Sequence, residues 1–198
     1  GAGGGFLGQT IPNLITSDIL PLSHLDLVMS GHSLPFQSAS LRAILLVNVF
    51  HHLPKPRQLI EQAGRCLKSG GVLAMIEPWV TPWSSWVYSR LHTEPFMPEA
   101  LEWEFPDSGP LSGANGALPW IIFQRDRALF EAEFPDLHIE KIDPFMPFRY
   151  LLSGGVSMRS PMPGWTFSFW RGIEKGLHPW MGRLAMFARI VIRRGPNR

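Results

Sequence analysis

Apolar residues in the first half of the chain fall into short runs, alternating with stretches of helical period. Residues 43–50, AILLVNVF, form the strongest run and are bounded by His51, His52 and Pro54. Residues 25–29 form another, broken only by Asp26. Apolar runs of this length between breakers predict buried strands. Residues 13–19 predict a shorter strand, with Asp18 near its C-terminal end. From 57 to 67, Leu59, Ile60, Ala63 and Leu67 repeat with helical spacing, and Ser69-Gly70-Gly71 predicts the stop. Residues 72–76 predict the next strand, closed by Glu77-Pro78. Strands alternating with helices at this spacing predict an α/β fold, a Rossmann-like doubly wound and mostly parallel sheet with helices on both faces.

Beyond Trp79 the texture changes. All 8 tryptophans lie at or after that position, and proline becomes frequent. Residues 83–92 and 125–134 predict helices, 105–117 a Gly/Pro/Ser/Asn loop, 138–142 a strand, 165–177 a helix and 184–192 a final strand, antiparallel to its neighbour. We read one domain over 1–198: a cofactor-binding half over 1–79, an aromatic and Pro-rich insertion or cap over 80–135, and C-terminal strands and a helix over 136–198.

Composition narrows the class. With 45% apolar and 17% charged residues, the chain is an ordinary globular one. A net charge of +2 is no basis for nucleic-acid binding, which needs basic residues gathered on one face. The lone cysteine, Cys66, excludes an internal disulfide and fits a reducing compartment. No apolar run approaches the roughly 20 residues of a membrane span, so the expected address is the cytoplasm.

The glycine run at the start carries the first chemical signal. Gly1-x-Gly3-x-Gly5 and Gly3-x-Gly5-x-x-Gly8 both place glycine where a ligand must approach the main chain. Such a turn follows a strand, so the expectation is that a first strand is missing here. Asp18 lies only 10 residues beyond Gly8, whereas a dinucleotide site expects its ribose-binding acid roughly 20 residues on. Counted from Gly1 the interval is 17, and the acid still ends the second strand.

Four further segments, Leu34-Pro35-Phe36, VFHHL (49–53), RCLKSGG (65–71) and MIEP (75–78), follow the glycine loop in order. With it they resemble the methyltransferase type 11 family of class I S-adenosylmethionine-dependent methyltransferases, over residue 1 to about 79. The resemblance implies S-adenosylmethionine as cofactor. Gly1, Gly3 and Gly5 would lie along its methionine and ribose, Asp18 would take the ribose hydroxyls, and Ile19 would pack on adenine. Where the family usually carries an Asp toward the adenine amino group, this chain has Ser30. The first strand of that fold lies in mid-sheet and presents the glycine loop. The C-terminal part resembles uncharacterised relatives with a long Trp- and Pro-rich insertion, some among polysaccharide-biosynthesis genes.

Sites in parallel sheets lie at the C-terminal strand ends. That places Asn48, Phe50, His51 and His52 after one strand, and Glu77 and Trp79 after the next, near the cofactor. His51 is the preferred base, since imidazole titrates near neutrality. The competing reading makes it a cap of the following turn, and Glu77 is either a base or a loop anchor. His92 and Glu94 read as a solvated helix end that could swing over the site. Adjacent histidines with no acid to complete the set predict no metal. Trp79, Trp83, Trp86, Trp103 and Trp120 either recognise the acceptor or form a second small core, with 113–116 as a mobile loop. Arg183, Arg189, Arg193 and Arg194 flank a terminal strand. The expected partner is a small-molecule acceptor, with polysaccharide or lipid-linked intermediates as candidates. A degenerate, non-catalytic module and a nicotinamide-dependent oxidoreductase are the alternatives.

Overall fold

A computed structural model describes residues 7–106, 113–155 and 163–196. Their elements run β1 (Ser17–Asp18), β2 (Leu27–Val28), β3 (Leu41–Val47), α1 (Pro56–Cys66), β4 (Leu67–Pro78), α2 (Pro82–Leu91) and α3 (Leu118–Trp120). There follow α4 (Arg127–Glu133), β5 (Leu137–Phe145), α5 (Arg149–Leu152), α6 (Phe167–Gly176), α7 (Met181–Leu184) and β6 (Phe187–Arg194). β3, β4, β6 and β5 form one sheet in that order, and β1 and β2 form a separate parallel pair. β3 is parallel to β4, while β6 runs antiparallel to both β4 and β5. The α/β class is as expected, and the parallel pairs are confined to the first four strands.

Alternation along β4 sets the core. Leu73 and Met75 face α1, which buries Leu59, Ile60 and Ala63 on one stripe, and they meet Ile121, Ile122 and Phe130 from the segment after α3. Ala188, Ile190 and Ile192 of β6 continue the same face. The neighbouring positions Val72, Ala74 and Ile76 are half-buried. Near their C-terminal end α2 covers this second face through Val87 and Tyr88, packed with Met186 and Phe187.

Several boundaries moved for identifiable reasons. Residues 7–10 form turns, and the strand expected at 13–19 shrinks to two residues. α1 starts with Pro56 at its first turn, where a missing N–H costs nothing. It ends at Cys66, before the glycines expected to stop it, because Leu67 already turns into β4. Gly70 and Gly71 serve the strand instead. Gly70 has φ +74°, and a Cβ on Gly71 would stand 2.9 Å from the Lys68 carbonyl and 3.1 Å from that of Arg42. Thr81 and Ser84 cap α2 reciprocally, with Pro82 following the cap.

Candidate active site

β3 ends at Val47, and Asn48 takes φ +51°, a left-handed turn that asparagine tolerates better than most residues. That turn sends the chain into a single 3-10 turn, Phe50–His52. Glu77, next to last in the neighbouring β4, is fully buried beneath it. Its Oε1 accepts from the backbone N–H of Val49 at 2.8 Å and of Phe50 at 2.9 Å. Its Oε2 lies 2.6 Å from Nδ1 of His51, which is also buried. Both oxygens of Glu77 are therefore engaged, and its place is that of an anchor for the turn.

The histidines lie side by side, ring centroids 4.1 Å apart. Nε2 of His51 is 3.5 Å from Oε2 of Glu94, and Nε2 of His52 is 4.0 Å from Oε1 of the same carboxylate. Nδ1 of His52 is 3.4 Å from the Gly113 carbonyl. Burial pushes the His51 pKa down, but the hydrogen bond and charge of Glu77, and then Glu94, outweigh it and raise it to about 9. Burial and the neighbouring His51 cation lower that of His52, and contact with His51 holds the Glu94 carboxyl below its usual range. Glu94 thus stands against both histidines, where the sequence predicted a solvated helix end.

Asn115 welds this arrangement together. It is buried, its backbone N–H donates to the His51 carbonyl at 3.0 Å, and Gly116 N–H donates to the Pro95 carbonyl at 2.9 Å. Its side-chain oxygen accepts from Met97 N–H at 2.9 Å and its amide donates to the Met97 carbonyl at 3.1 Å. The segment expected as a mobile loop is, over residues 114–116, buried and hydrogen-bonded to the chain on either side of Glu94.

A cleft of about 190 Å³ opens at these strand ends. Asn48, His51, His52, His92 and Glu94 line its polar side, and Tyr88, Phe96, Tyr150 and Phe187 its aromatic side. The tryptophans, read as either recognising the acceptor or forming a second core, do not line it. Trp79 and Trp103 are buried in the main core, where Trp103 Nε1 donates to Asp126 at 2.9 Å and Arg57 stacks 4.2 Å above its ring. Trp120 packs against the same core, Trp83 joins the cluster under α2, and Trp86 is exposed. The physical reason is size: with half-filled space between short elements, indoles are the side chains that close it.

The expected cofactor residues lie at strand ends as well. Gly1, Gly3 and Gly5 fall outside the described residues. Asp18 is the last residue of β1, and its Oδ1 accepts from Leu20 N–H at 3.2 Å. Ile19 beside it is exposed. Register pairs Asp18 with Val28, so Ser30, two residues past β2, ends the adjacent strand, its Oγ accepting from His32 N–H at 3.2 Å. Arg189 and Arg193 pair with Asp143 and Glu140 across the sheet, as suits a terminal strand with charged flanks.

Residues 17–75 match the family described as Methyltransferase domain. The matched stretch runs from β1 into β4 and covers less than half of the chain. No curated protein matches the chain. Solved structures similar to it include a candidate methyltransferase from Bacillus halodurans, at 12% identity over 98% of this chain and 86% of that one, TM-score 0.49. Geranyl diphosphate C-methyltransferase from Streptomyces coelicolor, solved with Mg2+, geranyl diphosphate and S-adenosyl-L-homocysteine, is similar at 15% identity over 84% of this chain and 52% of that one, TM-score 0.45. A complex of the Trm112 methyltransferase activator with a methyltransferase candidate, from Haloferax volcanii, gives 14% identity, 87% and 61% coverage and TM-score 0.47. The chain spans between half and two thirds of the length of the last two. Among the described residues no helix is long and apolar enough to cross a membrane.

Proposed function

We propose that this chain binds S-adenosylmethionine and supports methyl transfer to a small-molecule acceptor held in the cleft beside His51. The match of residues 17–75 to a methyltransferase domain carries the reading. The half-buried Asp18 carboxylate would take the ribose hydroxyls, exposed Ile19 the adenine face, and Ser30 the adenine amino group, with Gly1, Gly3 and Gly5 along the methionine and ribose. Asn48, exposed just past β3, lines the cleft.

Transfer from a sulfonium is an in-line displacement: the acceptor's lone pair forms the new bond to the methyl carbon as the bond to sulfur breaks, leaving a thioether. Holding the acceptor in line is the main contribution, worth several kcal/mol (up to about 7–11) when geometry is right. Tyr88, Phe96, Tyr150 and Phe187 give an aromatic wall suited to an acceptor with a ring or chain, a sugar-lipid intermediate among them. The sequence favoured His51 as a base that titrates near neutrality. With its pKa raised to about 9 it is instead charged at neutral pH and suited to donate a hydrogen bond to the acceptor's heteroatom, and Glu77 positions it.

Calorimetric titration of S-adenosylmethionine and S-adenosylhomocysteine into the protein tests the donor site. Binding that is lost in Asp18→Ala, with the fold intact by circular dichroism, is expected. Unchanged binding in that variant would refute the assignment. Binding of a nicotinamide dinucleotide instead would point to the oxidoreductase alternative.

A further inference from the structure

We infer that His51, His52 and Glu94 form a binding site for one divalent ion of the zinc-like first transition row, on the floor of the cleft. One donor atom from each lies within 4.8 Å of the other two. The carboxylate stands 3.5 Å from one Nε2 and 4.0 Å from the other. In a tetrahedral site with bonds near 2.0–2.1 Å, ligand atoms sit about 3.3 Å apart. Closing the trio, whose donor atoms lie within 4.8 Å of one another, onto an ion therefore shortens the separations by up to about 1.5 Å, a movement to which the half-exposed Glu94 side chain can contribute.

The surroundings of the trio are those a metal site requires. Metal-binding histidines give their other ring nitrogen to a carboxylate or carbonyl, which fixes tautomer and ring direction. Here Nδ1 of His51 is held by Glu77 and Nδ1 of His52 faces the Gly113 carbonyl. Those two contacts turn both Nε2 atoms toward Glu94. The third ligand is held too, since Asn115 and Gly116 fasten the backbone at Pro95 and Met97 to the turn that carries the histidines. An ion pair on an exposed surface needs none of this support.

Two imidazoles with one carboxylate suit zinc and its neighbours better than magnesium or calcium, which favour all-oxygen sets. Three protein ligands leave the side toward the cleft open, as in sites that hold a water or a substrate oxygen. The expectation of no metal rested on the lack of an acid to complete the set. Glu94 supplies one, and in the 3-10 turn the two rings lie side by side facing it.

This inference does not rest on methyl transfer, and its test contains no S-adenosylmethionine. Co2+ is titrated into chelator-treated protein and followed by its visible d–d absorption, then displaced with Zn2+. One equivalent of low-coordinate Co2+, displaced by Zn2+, is expected. His52→Ala and Glu94→Gln, both at half-exposed positions, should lose affinity by more than the roughly 10–100-fold that removal of an outer partner costs. Glu77→Gln should fall within that outer-partner range. His178→Ala, at an exposed remote histidine, should bind as the parent does. Absence of stoichiometric binding, or binding indifferent to both His52→Ala and Glu94→Gln in variants with parental thermal unfolding, would overturn the site. Loss of binding in Asp18→Ala alone would do the same, since that residue belongs to the donor site.

Discussion

Glu77 offers the sharpest test of how the site is held, because one carboxylate satisfies three groups at no solvent exposure. Replacing it by alanine orphans the N–H groups of Val49 and Phe50 and removes the partner of buried His51. Each unsatisfied buried donor costs about 1–3 kcal/mol. Breaking a buried ionic pair by removing one member costs about 3–5 kcal/mol. These losses share one site and are not additive, so Glu77→Ala should destabilise by about 4–6 kcal/mol, half or more of the stability of many domains. Glu77→Gln keeps an amide oxygen for both backbone donors, and His51 can change tautomer to meet the new amide N–H. Its cost should be about 1–2 kcal/mol, that of one exchanged hydrogen bond. Urea unfolding followed by tryptophan fluorescence reads both, with buried Trp79 two residues away as a reporter. A loss below about 1 kcal/mol in Glu77→Ala, or equal losses in the two variants, would refute the anchoring argument, since orphaned N–H groups carry that minimum penalty.

Two further variants probe the supports of the same region. Asn115→Ala removes three hydrogen bonds, to Met97 N–H, the Met97 carbonyl and Ala117 N–H. It should cost about 1–3 kcal/mol in urea unfolding and weaken Co2+ binding without touching a ligand atom. Gly71→Ala puts a methyl group against the Lys68 and Arg42 carbonyls, backbone atoms that cannot swing aside. A thermal shift equivalent to about 1–3 kcal/mol of destabilisation is expected, and a neutral result would show that β3 and β4 yield there.

The parts of the fold that were legible are those in which local and tertiary demands coincide. The run at 43–50 is apolar without alternation, and its length and breakers left one reading, a strand; β3 nevertheless forms the edge of its sheet, and its residues are half-buried or exposed where burial was expected. The stripe Leu59, Ile60, Ala63 faces the sheet, so its spacing was informative, and it is buried as spaced. The antiparallel final strand was also foreseen, and β6 pairs antiparallel with β4 and β5. What failed were boundaries set by non-local partners. Gly70-Gly71 has the form of a helix stop, yet what requires glycine at 71 is the Lys68 carbonyl first and then the Arg42 carbonyl across the sheet. The helical turns over 118–125 were missed because Pro119 suppresses the periodic signal while sitting at a first turn, where it is harmless.

The site divides along the same line. Its strand-end half could be read in one dimension, because the parallel strands β3 and β4 deliver Asn48 and Glu77 to one end of their sheet, while Asp18 ends β1 in the separate pair. Its second half comes from residues 92–116, whose relation to the histidines depends on a chain path with no period. Glu94 meets His51 only because Asn115 bonds to Met97 with its side chain and to His51 with its backbone. From sequence, Asn115 between two glycines reads as turn chemistry, since asparagine serves turns far more often than burial. The tryptophans left acceptor recognition and a second core both open for the converse reason, and the core reading holds for Trp79, Trp83, Trp103 and Trp120. Large aromatic side chains are worth about as much in a core as at a ligand, so their number in 79–120 measured space to be filled rather than an acceptor to be bound. Where a protein adds chemistry to an inherited strand-end site, the added groups come from the non-periodic segment that closes over it. There a buried asparagine is a better guide to the site than a run of exposed-looking indoles, because burial of an amide requires partners fixed on both sides.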